Sequence, residues 1–419
     1  MLEQAVILVG GMGSRLGLIA STTPKPLLKV AGRPFIEHLL QEISRYGFRR
    51  VTLLAGNLGS QFASAYDGSS FFGMDLEVVI EPGPLGTAGA LCHASRIGGL
   101  DPSFILLNGD SWIDSDLTQF SITWDRVRKE NSRVQALILL QERKDTGRYG
   151  LVGVNNGLVT SFFEKRSNAS GAKSVSGMIN AGMYVLDRDI LACLAPGQAV
   201  SLENYLLPKI VADGRVAAFT ASPDAYFIDI GIPETFRESQ FELLRHRRRP
   251  AIFFDRDGTL NHDTGYTYRI QDLVWINEAR EAIKFCNDAG YLVFVVTNQS
   301  GVARGYYGEN EVSAFHRGMQ RDLYALGAHI DAYRFCPHHP GGQVKQYSIP
   351  CRCRKPGPGM IEELASSWPI EMENSVLIGN SAADMAAAEA ANVKGLLYSG
   401  GSLLELVKAS MKLSHLNVG

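Results

Sequence analysis

The segment AIFFDRDGTLN, residues 251–261, decides the architecture. Four apolar residues run straight into two carboxylates spaced Asp255-x-Asp257, followed by a Gly-Thr turn. A continuous apolar run of this length reads as a strand buried on both faces, as in a parallel sheet. Carboxyl ends of such strands line the ligand crevice of an open α/β sheet, so the run delivers two acids to a phosphate site. Further strands follow at 291–298 (YLVFVVTN) and 375–380 (SVLIGN), with helical stretches at 277–290 and 382–393. Their polar ends are Asp255, Thr297 and Asn298, and Asn380. A βα series that begins past the middle of a 419-residue chain implies a second, independent α/β domain.

The first half has its own alternation. AVILVG (5–10), RVTLLAG (50–56), LEVVIE (76–81) and FILLNGD (104–110) read as strands. The helical pattern at 35–47 stops at Gly47. After residue 117 the alternation gives way to hairpins and mixed strands, so this sheet is expected to be mixed. The predicted division is residues 1–240, a basic Pro-terminated linker over 241–250, and 251–419. Arg245 to Arg249, all Arg or His, read as a solvated stretch.

Hydrophobic residues make up 45% and charged residues 20%, enough apolar surface for ordinary globular cores. The formal net charge of −2 gives no bulk electrostatic case for nucleic-acid partners. The opening MLEQAVILVGG lacks a basic region and a cleavage site and reads as a strand, and no stretch is long enough for membrane insertion. Six cysteines, three of them within 336–353, favour a reducing, cytoplasmic setting and a metal site over a disulfide framework.

In the first half the densest signal is LVGGMGSRLGLIASTTPKPLLKV, residues 8–30. Gly10, Gly11 and Gly13 follow a strand directly, and glycines let successive amides face phosphate oxygens. Arg15 adds a planar, permanently charged fork, and Lys25 a point charge stiffened between two prolines. These types suit a nucleoside triphosphate. The acid expected of a dinucleotide fold and the Gly-Lys-Ser/Thr of a P-loop are both absent.

These residues, with EPGPLGTAGAL (81–91), LNGD ending at Asp110, FFEK (162–165), NAGMY (180–184) and FIDIGIPETF (227–236), resemble the sugar-1-phosphate nucleotidyltransferases in order. The resemblance spans residues 3 to 240, with Val9 where that family usually has Ala. It implies a Rossmann-like nucleotidyltransferase fold in which a sugar phosphate attacks the α-phosphorus of a nucleoside triphosphate and pyrophosphate leaves. Arg15 and Lys25 then stabilise charge on the pyrophosphate side. Asp110 and Asp229 hold Mg²⁺, a hard cation that favours carboxylate oxygens. Gly86 lets the base approach the backbone. Lys165 binds the sugar phosphate, with Glu164, Asn180 and Gly182 near the sugar hydroxyls.

In the second half, CPHHPGGQVKQYSIPCRC supplies the pairs Cys336-x-His338 and Cys351-x-Cys353, with His339 as a rival ligand. Thiolates and an imidazole in two short pairs suit a closed tetrahedral Zn²⁺. DRDGTLNHDTGY (255–266), VVTNQSGVARG (295–305), CPHHP and CRKPGPGM (353–360) resemble the haloacid dehalogenase-type phosphatases, specifically the histidinol-phosphate and heptose-bisphosphate branch. The resemblance implies that Asp255 attacks phosphorus and that Asp257 protonates the leaving oxygen. Thr297, Asn298, Gln299 and Ser300 donate to phosphate, and Lys355, beside Arg354, neutralises it. Asp255, Asp257 and the fourth motif hold Mg²⁺. That motif departs from the branch's Gly-Asp-Lys-x-x-Asp: here it is GNSAAD (379–384), with Asn380 in place of a metal-ligating Asp and Asp384 as a compensating carboxylate.

Together the resemblances imply a bifunctional enzyme. It removes the 7-phosphate of a heptose 1,7-bisphosphate and transfers a nucleotide, by analogy guanylyl, to the remaining 1-phosphate. The alternatives are a mannose or glucose 1-phosphate substrate for the first half, and a histidinol-phosphatase-like or inactive regulatory second half.

Overall fold

The computed structural model describes all residues except 12, 145, 147, 148, 164–175 and 417–419. Packing divides the chain into two compact units, Met1–Ser44 with Phe48–Leu243, and Arg45–Gly47 with Leu244–Gly419.

The first unit is built on a ten-stranded mixed sheet among the described residues. Its parallel half comprises β1 (Gln4–Leu8), β2 (Arg50–Ala55) and β4 (Met74–Ile80), with the short β3 (Ser70–Phe71) antiparallel at the edge. β5 (Ser103–Asn108) flanks β1 on the other side, so Leu8 pairs with both Leu54 and Asn108. Val6 and Ile7 are fully buried, as a strand covered on both faces requires. The second half of the sheet uses β7 (Ala136–Arg143), β8 (Leu151–Asn155), β9 (Leu158–Phe163), β10 (Gly177–Asp187) and β11 (Val216–Thr220). The strand order is β8-β9-β11-β7-β10-β5-β1-β2-β4-β3.

Two features of this unit shape its cleft. The short β6 (Ser111–Ile113) pairs antiparallel with β12 (Phe227–Asp229), which sets Asp229 opposite Ser111. The register between β10 and β7 shifts between Asn180 and Tyr184. Such a bulge re-aims side chains beside a site, and here it lies at Asn180–Gly182.

The second unit is a five-stranded, all-parallel sheet in the order β15-β14-β13-β16-β17. The strands are β13 (Ala251–Phe254), β14 (Leu292–Asn298), β15 (Ala332–Cys336), β16 (Val376–Gly379) and β17 (Lys394–Leu397). The four residues of β13 are all buried. Helices α4 (Ala279–Asp288), α5 (Glu309–Tyr324), α6 (Gly359–Ser367), α7 (Ala382–Ala390) and α8 (Leu403–Leu416) accompany it. They follow α1 (Phe35–Ser44), α2 (Gly86–Arg96) and α3 (Pro233–Arg247). Ile252, Phe254, Val293, Val295, Val376 and Ile378 join Ile283, Phe315 and Leu403 in one core.

The basic stretch closes a helix at Arg247, and Arg245, His246 and Arg248 are exposed, in keeping with a solvated stretch; Arg247 is the exception. Leu243 is fully buried and Arg247 is only 5% exposed. Arg245 and Arg247 lie in the last turn of α3, where cations oppose the negative end of the helix dipole. No helix among the described residues is long and apolar enough to cross a membrane.

Candidate active sites and metal cluster

In the first unit the cleft opens where β1 and β5 end. Gly109 N donates to Leu8 O at 3.0 Å, which holds the two strand tips together. Lys25, in the short 3₁₀ turn Lys25–Leu27, is 8% exposed, and its Nζ lies 2.7 Å from Asp110 Oδ2. Asp229 Oδ2 accepts from Tyr149 Oη at 2.9 Å, and Oδ1 accepts from Gly231 N at 3.1 Å. A methyl group on Gly231 would lie 2.9 Å from Asp229 Oδ1, 3.8 Å from Arg15 Nη2 and 3.9 Å from Lys25 Nζ. The two cations and the second carboxylate therefore converge on one point.

Arg15, Asp110, Asp229, Asn180 and Gly182 line one cavity of about 240 Å³, and Gly11, Lys25 and Asp110 line a smaller one of about 190 Å³. Asp110 and Asn108 belong to both. The two carboxylates in a shared cleft are the hard oxygen donors that suit Mg²⁺.

Three glycines explain their own presence. Gly13 has φ +65° at the start of the 3₁₀ turn Ser14–Ala20. A Cβ on Gly10 would fall 2.6 Å from Gly56 N, so strand tips pack backbone to backbone there. At Gly86, φ is +69° and a Cβ would fall 2.7 Å from Val200 O. The glycine expected to admit a base is thus already required by the Val200 backbone.

Gly182, φ +75°, sits against the Asn108 side chain. Its N donates to Asn180 Oδ1 at 3.1 Å, and Asn180 Nδ2 donates to Tyr184 Oη at 2.6 Å. The expected sugar contacts Glu164 and Lys165 lie outside the described residues. Residues that sequence reasoning missed here are Tyr149 and Glu203. Glu203 lines both cavities and accepts from Thr87 Oγ1 at 2.8 Å.

In the second unit, Asp255 follows β13 and is 6% exposed. Lys355 Nζ lies 2.5 Å from Asp255 Oδ1, 2.5 Å from Asp384 Oδ1 and 2.8 Å from Val296 O. Burial pushes the Asp255 carboxyl up, to about 6; Lys355 pulls it down and Asp384 adds to the rise. Burial works against the Lys355 ammonium too, but Asp255 and Asp384 outweigh it and hold the lysine charged. Two buried carboxylates on one buried ammonium leave a net negative charge, which suits a further cation.

Asp255, Asp257, Thr297, Asn298, Gln299, Ser300, Lys355 and Asp384 all line one cavity of about 320 Å³. Asn380 does not line that cavity. It borders an adjoining one of about 720 Å³ with Gly258, His262 and the Ser399–Ser402 turn. Asp384 is 1% exposed, and its Oδ2 accepts from Ser381 N at 3.0 Å and Ser381 Oγ at 2.6 Å, closing the N-terminus of α7. Asn298 exchanges two hydrogen bonds with the Lys355 backbone, both 3.0 Å, which ties the second motif to the third. Asp263, Tyr266 and Tyr307 also line this cavity and were not singled out in the sequence. Asp257 is the partner of Arg256, a residue that reads in sequence only as the spacer of Asp-x-Asp.

Cys336, His338, Cys351 and Cys353 offer ligand atoms all within 4.8 Å of one another. Cys353 Sγ is 3.2 Å from Cys336 Sγ and from Cys351 Sγ, and 3.3 Å from His338 Nδ1. Four such donors at that spacing fit a closed tetrahedral ion with Zn–S bonds of about 2.3 Å. His339 points elsewhere: its Nδ1 accepts from Gly341 N at 3.0 Å and its Nε2 lies 3.5 Å from Arg304. Arg354 Nη1 donates to His338 O at 3.3 Å, so the cluster reaches directly into the loop that carries Lys355.

With this geometry in hand, known proteins give two matches. Residues 4–246 match the family model for nucleotidyl transferases, and residues 250–395 match that for the polynucleotide kinase 3 phosphatases. The second unit is 48% identical over 161 residues to the D-glycero-beta-D-manno-heptose-1,7-bisphosphate 7-phosphatase of Rhodopseudomonas palustris, over 38% of this chain and 89% of that protein. It is 35% identical over 150 residues to the alpha-heptose phosphatase of Photorhabdus laumondii, over 36% of this chain and 82% of that one. The crystal structure of HddC from Yersinia pseudotuberculosis complexed with GMP-PN aligns with a TM-score of 0.49 at 28% identity, over 58% of this chain and 100% of that one.

Proposed function

The chain belongs to the nucleotidyl transferase family through residues 4–246 and to the heptose-bisphosphate phosphatases through its second unit, and on that premise we propose that it makes a nucleotide-activated heptose in two steps. The phosphatase removes the 7-phosphate of D-glycero-D-manno-heptose 1,7-bisphosphate. The transferase joins GMP from GTP to the remaining 1-phosphate and releases pyrophosphate. The observation that carries the reading is the pair of clefts on one chain, each gathering carboxylates and cations: Asp110, Asp229, Arg15 and Lys25 in one, Asp255, Asp257, Asp384 and Lys355 in the other. Guanine rests on the resemblance of the first half to heptose 1-phosphate transferases.

In the phosphatase cleft, Asp255 forms a bond to phosphorus, the bond from phosphorus to the sugar oxygen breaks, and Asp257 passes its proton to that oxygen. Water then attacks the aspartyl phosphate, Asp257 takes the water's proton, and Asp255 is released. Lys355 neutralises the phosphoryl oxygens, while Thr297, Asn298, Gln299, Ser300 and Arg354 orient them. Asp255 and Asp257, with Asn380 or Asp384, would hold Mg²⁺, whose charge would let a carboxylate approach a phosphate.

In the transferase cleft, an oxygen of the sugar 1-phosphate bonds to the α-phosphorus and the bridge to the β-phosphate breaks. Gly10, Gly11 and Gly13 present amides to the triphosphate, and Arg15 and Lys25 stabilise the departing pyrophosphate. Asp110 and Asp229 are the residues that hold the metal. Asn180 and Gly182, with Glu164 and Lys165, contact the sugar phosphate. Cys336, His338, Cys351 and Cys353 hold Zn²⁺ as a structural clasp. The nucleotide and sugar phosphates place the enzyme in the cytoplasm.

Purified protein given heptose 1,7-bisphosphate, as each anomer, with GTP, ATP, CTP or UTP tests the reading. Free phosphate plus GDP-heptose is the expected result. Phosphate without a nucleotide sugar overturns the transferase half, and release from histidinol phosphate alone overturns the sugar assignment.

A further inference from the structure

Arg256 is one of the largest wholly buried side chains of the molecule, and it lies between the two acids of the phosphatase cleft. Its Nε donates to Asp257 Oδ1 at 2.9 Å and its Nη2 to Asp257 Oδ2 at 2.8 Å. The far side of the guanidinium is fixed independently. Nη2 also donates to Thr267 O at 2.7 Å, Nη1 lies 3.3 Å from His316 Nε2, and the Phe315 ring centroid is 4.5 Å from Cζ. His316 is itself clamped, stacked on Tyr333 with centroids 4.4 Å apart. Burial and the neighbouring Arg256 hold His316 neutral, so its Nε2 can accept from the guanidinium.

Two more donors reach Asp257, Asn261 Nδ2 to Oδ1 at 3.0 Å and Gln299 Nε2 to Oδ2 at 2.7 Å, and a proton on Oδ2 takes the place of the Gln299 bond. A planar fork fixes the plane of a carboxylate, whereas an ammonium fixes only a distance. The turn after β13, closed by Leu260 N to Arg256 O at 2.8 Å, sets where the backbone of Asp257 lies; it does not set how its carboxylate is turned.

We propose that Arg256 is a positioning residue for phosphate-ester cleavage, turning the Asp257 carboxylate so that its proton reaches the leaving oxygen. The inference rests on the phosphatase reading. In the first step the Asp255–phosphorus bond forms, the phosphorus–oxygen bond to the sugar breaks, and the Asp257 proton moves to that oxygen. In the second, a water oxygen bonds to phosphorus, the Asp255–phosphorus bond breaks, and the water's proton moves to Asp257. A poor alkoxide leaving group needs that delivery. A p-nitrophenolate leaving group does not.

The test compares heptose 1,7-bisphosphate with p-nitrophenyl phosphate, both with Mg²⁺, for the full chain and for Arg256→Lys, Arg256→Met, Asp257→Asn and Arg256→Met/Asp257→Asn. The ratio of the two rates is independent of the fraction of chain correctly folded, so a poorly folding variant still reports. For both Arg256 variants the sugar-ester rate should fall by about a hundredfold relative to the aryl-ester rate, the usual scale of general acid catalysis. On the sugar ester, the double variant should be no slower than Asp257→Asn alone, as expected for residues acting through one another. An unchanged ratio, or additive losses in the double variant, overturns the proposal. Failure of the parent reading looks different: the wild type then releases phosphate from neither ester.

Discussion

Asn380 and Ser381 are where this chain parts from the fourth motif of the branch, and Asn380 is the one that bears on the metal. An amide oxygen can bind Mg²⁺ but contributes no charge, and here the side chain packs against Gly258 beside the larger cavity. Asp384 brings a carboxylate to the Asp255 cavity, but one already engaged with Lys355 and Ser381. Asn380→Asp should therefore lower the Mg²⁺ concentration for half-maximal phosphate release, by roughly tenfold on the scale of metal-site substitutions. A metal titration of both proteins checks this, and superimposable curves would remove Asn380 from the ligand set. Gly86 gives a second residue-scale test. With φ +69° and the Val200 carbonyl in the way, Gly86→Ala should cost roughly 1–3 kcal/mol of stability, seen as a lower melting temperature of the first unit. An unshifted melt would mean the Val200 segment moves aside freely.

At the level of elements, the most informative piece is the loop from Cys336 to Lys355. Its four metal-type donors close it, Arg354 pins it to His338, and Asn298 holds the Lys355 backbone. Removal of Zn²⁺ by a zinc-selective chelator in excess Mg²⁺, or Cys351→Ser, should speed hydrogen exchange over residues 351–359 and lower phosphatase turnover, while nucleotidyl transfer stays unchanged. Chelated protein with unaltered exchange in that loop would deny it a bound metal. The sequence already announced this cluster, because both ligand pairs are local. It also announced β1, β2, β5, β13 and β14, whose largely apolar runs reflect burial on both faces. β15 was not legible: it is an edge strand, half-buried along Ala332–Phe335 with Arg334 at its centre, so no apolar run marks it. The bulge at Asn180–Gly182 was equally hidden, since it depends on how β10 meets two different neighbours. Arg256 was invisible for another reason. A spacer position carries no signal until the fold shows where a long side chain goes.

At the scale of the whole molecule, each unit has its own core and its own cleft, so the two activities should separate cleanly by mutation. Asp255→Asn in the full chain should abolish phosphate release yet still convert heptose 1-phosphate and GTP into GDP-heptose; offered the 1,7-bisphosphate, the same variant should stall. Nucleotide transfer to the bisphosphate by that variant would show that the 7-phosphate is no barrier and that the reaction order is not enforced. One small feature of the first unit reaches further. Asp110 and Asp229 are set in register by the three rungs that join Ser111–Ile113 to Phe227–Asp229, extended by Ile230 N to Asp110 O at 2.9 Å. A slip of one residue there turns Asp229 to the opposite face, so the ladder is intolerant of indels. The segment between its two strands carries β7 to β11 of the main sheet, so its loops, and not its strands, escape that constraint. Evolution can therefore vary those loops like an interchangeable jaw, which on the proposed function would change the sugar accepted while the carboxylate pair stays in register.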